Sequence, residues 1–497
     1  MKKQTLVVFK PLVWPFLLVI LVALLMMLAA TQVKLLDQDE NIYALVALDL
    51  LNGKLPYQGI FDHKPLGVYY LYAAVFSILG EEYVAIRIMS ICFLLGTAFN
   101  ISLGLSKFGF GGKARLAAVA TILAFPIGLD GLAGNTEIMQ SFFLSLLFLV
   151  ACYGYKAQRQ AHYFLFFLYG FFVGIAFSIN YLFSFIGLFS YLATILCFFY
   201  VGKLHFFKVF LISAFVFLGF VFASLLVYSQ YWIDYLKGGV LLQNYLTDQN
   251  NFLSGYKYEL NKQRVIDRFF VWVVPFFPVL IAGIFSYIKE CSTYFIVTAF
   301  AIATFIAAGI AASMSLSFFH HYWILATVPI ALFAALAMEK SKDKMMLSVL
   351  CYSLSGVLLL YIVFGSEKIV NQFFDNAEGK DLSMALEFID ENISSQDKVA
   401  AILVSPAYFY LQKLYVDQKY VFPNHIPKLK EKGLIDGDQY FLNALSASVN
   451  FALVRPTLCE DERLKYPKTC DYLERNFNPL ASFEGYHPVT IHQYAPR

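Results

Sequence analysis

Asp37-Gln38-Asp39-Glu40 and, further on, Asp62-His63-Lys64-Pro65 lie in one short segment between two apolar stretches, about Leu12 to Thr31 on one side and one opening near Tyr83 on the other. A run of about 20 apolar residues is the length that crosses a hydrocarbon core of about 30 Å. The two charged tetrads therefore belong to the first loop after a membrane span, and the chemistry of that loop decides the fold. The stretch before it follows Met1-Lys2-Lys3 and Lys10. It exceeds the roughly 7 to 15 residues of a signal-peptide core, so a retained first span is expected.

Composition agrees with a membrane protein. Of 497 residues, 59% are hydrophobic and 14% charged, with mean hydropathy +0.64, whereas soluble domains carry roughly 25% charge. Lys and Arg (37) nearly balance Asp and Glu (34), which leaves no basic surface of the size that tracks a nucleic-acid backbone. Seven cysteines without any C-x-x-C pair support neither a zinc module nor a dithiol redox pair.

Further apolar stretches begin near residues 83, 115, 137, 162, 181, 206, 269, 292, 322 and 346, giving eleven expected spans. With the N-terminus in the cytoplasm, the turns on that side hold the Lys107, Lys113, Arg115 cluster, Lys156, Arg159, Lys203, Lys208, Lys289 and Lys340 to Lys344, against few acids. That is the positive-inside pattern. An odd number of spans places everything after Phe364 outside the cytoplasm. Residues 366–497 hold 14 Lys/Arg and 18 Asp/Glu, a shift of composition that marks a boundary near Gly365. The expectation is a polytopic α-helical domain over 1–365 and a small extracytoplasmic α/β domain over 366–497.

Two helices are expected inside the first outer loop. Glu40 to Leu51 ends at Asn52-Gly53, an ordinary helix stop. Pro65 to Leu79 is fifteen residues, about 22 Å as a helix and short for a span. It reads as interfacial, with Tyr69, Tyr70 and Tyr72 at headgroup depth. In the C-terminal domain, Asp381 to Ile393 has a helical apolar pattern, and Lys398 to Val404, Asn450 to Val454 and Val489 to Tyr494 read as strands. Lys428 to Lys432 reads as a solvated helix face. Cys459 and Cys470 are far enough apart to close a loop in an oxidising compartment; the sequence does not decide whether they do.

Charges at a membrane surface are costly unless paired or used, so the acidic cluster is where chemistry is sought. Asp39 at the start of a helix has its ionised form favoured by the backbone N–H groups and the helix dipole, which makes it an available general base; Asp37 or Asp39 reads equally as an N-cap. Lys64 reads either as a cation for a lipid phosphate or as a snorkelling lysine.

Asp39-Glu40, then Tyr43, Ala44, Ala47, Leu51, Gly53, Pro56-Tyr57, and Asp62-x-Lys64-Pro65-Leu66 resemble the first outer loop of the GT-C glycosyltransferases, in particular the superfamily of protein O-mannosyltransferases and lipid A aminoarabinose transferases. Arg87, Asn135-Thr136-Glu137, His320-His321-Tyr322 and Pro329 extend the likeness over most of residues 1–365. Ser178-Ile179-Asn180 departs from it, because many bacterial relatives carry a lysine there.

The resemblance implies a GT-C-like fold in the inner or plasma membrane and a hexosyl- or pentosyltransferase using a polyprenyl-phosphate sugar. The acceptor is a glycolipid such as lipopolysaccharide, a cell-wall glycan or a protein; no β-trefoil repeat favours the protein. Asp39 is similar to the family's acceptor-activating acid, Glu40 completes the pair, and Lys64 looks like the lysine near the donor phosphate. A sugar phosphate brings its own leaving group, so the enzyme needs a base and cations but no covalent intermediate. Arg87, Arg268, His320 and His321 are the further expected donor-binding cations, and Asp62, Glu137 and Tyr322 are acceptor or supporting residues. A single displacement inverts the anomeric centre. The resemblance fixes no cofactor. His320-His321 with Asp39 or Glu137 would offer ligands to a divalent metal, but adjacent histidines on a helix point to different faces, which disfavours it. The alternative class, a transporter or flippase of lipid-linked glycan, predicts ionisable residues deep in several spans and repeat symmetry, neither of which is evident.

Overall fold

The computed structural model describes residues 13–54, 57–156, 161–200, 206–228, 274–278, 280–281, 294–314, 320–340, 344–367, 369–370, 377–431, 433–461, 465–484 and 488–495. The first half is α1 (Trp14–Ala30), α2 (Gln38–Leu51), α3 (Leu66–Leu79), α4 (Tyr83–Lys107), α5 (Gly112–Ala124), α6 (Thr136–Lys156), α7 (Ala161–Ile179), α8 (Phe183–Tyr200) and α9 (Phe206–Tyr228). After it come α10 (Phe295–Met314), α11 (Thr327–Lys340), entered through a 3-10 turn at His320–Ala326, and α12 (Lys344–Gly365).

Ten of the expected spans coincide with helices, and the one expected from about residue 269 lies largely outside the described residues. Eight helices among the described residues are long and apolar enough to cross a membrane, and Trp14–Ala30, Leu66–Leu79 and Tyr163–Ile179 are shorter apolar helices.

The sides of α1 illustrate how the bundle sorts its residues. Phe16, Val19, Ala23, Met27 and Ala30, spaced three and four apart, are buried, whereas Leu17, Leu18, Leu21, Leu24, Leu25 and Leu28 are exposed. Small and aromatic residues pack against neighbouring helices, and leucines are left for lipid. On α5 the buried stripe is mostly alanine, Ala114, Ala117, Ala118, Ala120 and Ala124, which lets backbones approach closely. The closest approach joins α7 to α9, where any side chain at Gly170 would land on the Val216 carbonyl.

The C-terminal region contains α13 (Ala377–Asn392), β1 (Val399–Ile402), α14 (Ala407–Leu411), α15 (His425–Glu431), α16 (Gly437–Ser446), β2 (Phe451–Val454), α17 (Leu458–Asp461), α18 (Pro467–Asn476), β3 (Phe477–Phe483) and β4 (Val489–Tyr494). The sheet runs β1-β2-β4-β3, with β1 and β2 parallel and the other pairs antiparallel. Three strands match expectation. β3 does not: it is an edge strand whose middle is exposed, carries Pro479 and is irregular between Pro479 and Ala481. Proline at an edge strand is permitted but erases the alternating pattern by which strands are recognised.

Alternation across the inner strands serves two cores. Ala400, Ile402, Ala452 and Val454 pack with Phe441, Leu445, Leu458 and Tyr466. Val399, Ala401, Leu453, Val489 and Ile491 face the opposite way and join a core continuous with the helical bundle. A Cys459–Cys470 disulfide ties α17 to α18. The region is docked on the first loop: Phe61 N–H donates to Lys419 O at 2.7 Å, Tyr410 stacks on Phe76 with centroids 6.1 Å apart, and Tyr410 Oη donates to Glu81 O.

Candidate active site

The first acidic tetrad divides its labour residue by residue. α2 begins two residues earlier than expected, with Asp37 as its N-cap. Asp37 Oδ1 accepts from Asp39 N–H at 3.2 Å, and Glu40 Oε1 accepts from Asp37 N–H at 3.5 Å and from Leu36 N–H at 2.9 Å; the reciprocal capping box is made by Asp37 and Glu40. Asp39 is therefore released from capping. Its carboxylate is half-buried and accepts from Tyr43 Oη at 3.2 Å one turn along α2. Burial, and then the charges of Asp37, Asp62 and Glu137, raise the Asp39 pKa to about 7 against the opposing pull of Lys64.

Glu40 is not available beside it. Its two oxygens are gripped by the two terminal nitrogens of Arg87, one contact at 2.8 Å. Both side chains are essentially inaccessible, at 1% and 0% exposure. Arg87 also donates to the carbonyls of Val33, Leu132 and Lys34. Its guanidinium is thus spent on the scaffold, where it joins α4 to the entry of α2 and to the loop before α6. The expected place of Glu40 in a reacting pair and of Arg87 on the donor is not where the geometry puts them, because a bidentate buried pair leaves neither group a free valence.

Lys64 contrasts with Arg87. It is 6% exposed, yet among the described residues no hydrogen bond or ion pair within 4 Å ends on its ammonium. Burial opposes its charge, but the field of Tyr322, Glu137, Asp39 and Tyr181 outweighs this and holds its pKa above the ordinary lysine value. The backbone there is fixed by Tyr57, whose hydroxyl donates to Lys64 O at 3.0 Å, and Tyr69 Oη stands 3.2 Å from the same oxygen. Gly67 lets the start of α3 lie against the end of α7, where a Cβ would come within 2.5–2.7 Å of Ser178 Oγ and its carbonyl. Tyr69 and Tyr72, expected at headgroup depth, are buried within the protein, with Tyr69 bonded to Asp62 and Tyr72 to Gly134 O.

The remaining expected residues converge on the same end of the bundle. Glu137, 1% exposed in the first turn of α6, accepts from Asn180 Nδ2 at 3.3 Å, and Asn180 also donates to Thr136. Asn180, standing where a lysine was anticipated, thus binds a neighbouring acid rather than adding a second charge. His321 Nδ1 lies 3.7 Å from Asp37 Oδ2, which Asn135 also approaches. Asp62 Oδ2 accepts from Tyr69 at 2.9 Å, and although burial opposes it, His63, His425 and Lys64 hold its carboxyl well below the usual range. Arg268 and the side chain of His320 lie outside the described residues. Sequence reasoning overlooked Tyr43 as the partner of Asp39 and His425 near Asp62; the i, i+4 spacing of Asp39 and Tyr43 signals the first, and nothing local signals the second.

No protein-family profile matches this sequence, and no curated protein matches it. Solved structures do. ArnT from Cupriavidus metallidurans bound to undecaprenyl phosphate superposes with a TM-score of 0.62 at 12% identity over 96% of this chain and 98% of that one. The same protein in the apo state gives 0.62 at 11% identity over 97% and 99%. The fold, helical bundle and small C-terminal sheet together, is similar to that of these ArnT structures.

Proposed function

We propose that this protein is an integral membrane glycosyltransferase that moves a sugar from a polyprenyl-phosphate donor to an envelope acceptor, on the extracytoplasmic side. The observation that carries the proposal is the pairing of unlike groups at one site: a carboxylate poised to titrate about pH 7 and a buried ammonium with no anion in contact. A buried ammonium that no anion touches has N–H donors left to offer, and a donor phosphate accepts them. The undecaprenyl phosphate in the ArnT structure is a lipid of that kind.

In the reaction the acceptor hydroxyl oxygen attacks the anomeric carbon as its proton passes to Asp39. The bond from that carbon to the phosphate oxygen breaks, and its electron pair leaves on the polyprenyl phosphate, stabilised by Lys64. Attack opposite the leaving group inverts the anomeric centre. A base with a pKa near the operating pH combines adequate ionisation with adequate basicity. Glu40 and Arg87 act as positioning residues that hold the α2 entry and thereby Asp39. Tyr322 and Glu137 shape the field around Lys64, Asn180 holds Glu137, and His321 stands beside Asp37. The acceptor is a glycolipid, a glycan or a protein.

Incubating purified protein with a polyprenyl-phosphate sugar and an envelope acceptor fraction tests this. Release of free polyprenyl phosphate coupled to sugar on the acceptor is the expected result. Movement of intact donor across a vesicle bilayer without its consumption would replace the proposal with the flippase reading.

A further inference from the structure

Beside Lys64, the first loop and the C-terminal region bring together three side chains that no step above uses. Asp62 is 2% exposed, His425, the first residue of α15, is 3% exposed, and His63 is largely covered. Each offers one ligand atom, and those atoms all lie within 4.8 Å of one another. His63 Nδ1 stands 3.0 Å and His425 Nε2 3.7 Å from the same oxygen, Asp62 Oδ1. The longer separation exceeds a hydrogen bond. Ligand atoms about 2.0–2.2 Å from a tetrahedral zinc stand roughly 3.3–3.5 Å apart, and the two separations bracket that spacing.

The surroundings fit the same reading. Tyr69 Oη donates to Asp62 Oδ2 at 2.9 Å, which turns Oδ1 toward the imidazoles; ligating carboxylates are held by outer-shell hydrogen bonds of this sort. Rings of Phe61, Tyr420 and Phe422 stand 5.2–6.4 Å from the His425 ring and limit access of water. Two imidazoles and one carboxylate suit zinc in preference to calcium or magnesium, which favour all-oxygen sites.

We propose that Asp62, His63 and His425 bind one zinc-class divalent cation that pins the C-terminal region to the first loop one residue from Lys64. The site is separate from His320-His321, and it does not depend on the transferase reading. Its role is to fix the Lys64 backbone. The loop is otherwise tied to the C-terminal region at this point by the Phe61–Lys419 backbone bond; the cation adds a bond between side chains of the two parts. Three protein ligands leave a tetrahedral ion one position for water.

Full-length protein in detergent, stripped with chelator and titrated with ZnCl2, tests the proposal by calorimetry and by the thermal unfolding midpoint. One equivalent of zinc, a raised midpoint, and an X-ray absorption shell of two imidazoles with oxygen donors are expected. His425→Ala should abolish the stoichiometric binding, Tyr69→Phe should weaken it roughly 10- to 100-fold, and His321→Ala should leave it intact. Failure of the wild-type protein to bind one equivalent would overturn the site, whatever the variants do. So would binding that survives His425→Ala but not His321→Ala, or a shell without imidazole.

Discussion

Two buried cations, Arg87 and Lys64, are used in opposite ways, and the difference lies in their partners. Arg87 is bound by Glu40 and three carbonyls, whereas Lys64 has no anion in contact among the described residues. Replacing Lys64 by alanine should therefore spare folding and weaken use of the donor by roughly 1.5–3 kcal/mol, about 10- to 150-fold, the contribution of a charge-assisted hydrogen bond. Donor titration of the purified variant measures it, and an unchanged KM and rate would remove Lys64 from the site. Glu40→Gln should behave differently. It strands a buried guanidinium, and breaking such a pair by removing one partner costs about 3–5 kcal/mol. The expected result is a lowered unfolding midpoint with activity falling in step, and a variant that is fully stable but inactive would return Glu40 to the chemistry. Both roles lie beyond the sequence for one reason. Asp39 and Glu40 are adjacent and alike in charge, and only the cap geometry, with Asp37 taking the position before the helix, separates the group left available from the group consumed.

At the scale of elements, the site depends on α3 lying against the end of α7. Gly67 permits this, since a side chain there meets Ser178. Gly67→Ala should push the start of α3 away and carry Lys64 with it; displacement of catalytic groups by about 1 Å is worth on the order of 10²-fold in rate. Transfer measured beside the unfolding midpoint separates this from collapse of the bundle, and a wild-type rate would show that the contact does not position Lys64. The helices themselves were legible, because a 20-residue apolar run declares itself by length, and so were β1, β2 and β4, whose apolar residues are contiguous. β3 was not, since Pro479 and an exposed middle leave no alternation. The partners of the tyrosine row were not legible either: only packing shows that the Tyr69 and Tyr72 hydroxyls serve Asp62 and Gly134.

For the whole molecule, the groups around Asp39, the ends of α4 and α6 nearest them, and the C-terminal region share one end of the bundle, while Gly111 and Glu339 meet at a different contact, Gly111 N–H donating to Glu339 at 2.8 Å. Lys107 and Lys340 stand near that contact in the chain, and by the charge rule we propose that this end faces the cytoplasm. The Cys459–Cys470 bond is in keeping with an oxidising compartment for the other end. A phosphatase reporter fused after Gly365 should be active and one fused after Lys113 inactive; the reverse would invert the orientation. His425 shows what sequence alone does not reach. It lies hundreds of residues from Asp62 and belongs to no local motif, so only the docking of the C-terminal region on the first loop brings them together.

The central claim is that Asp39 takes the acceptor proton, and its pH dependence tests that most directly. Only the ionised carboxylate is a base, and its pKa is raised to about 7. The kcat/KM of transfer should therefore rise with pH through about 7 and fall about tenfold for each unit below it. Asp39→Asn cannot ionise, and because Asp37 supplies the helix cap, the variant should insert and fold. Its transfer rate should drop by roughly 10² to 10⁴, and the acid limb near 7 should vanish. A folded Asp39→Asn protein that transfers sugar at the wild-type rate with an unaltered pH profile would contradict the account.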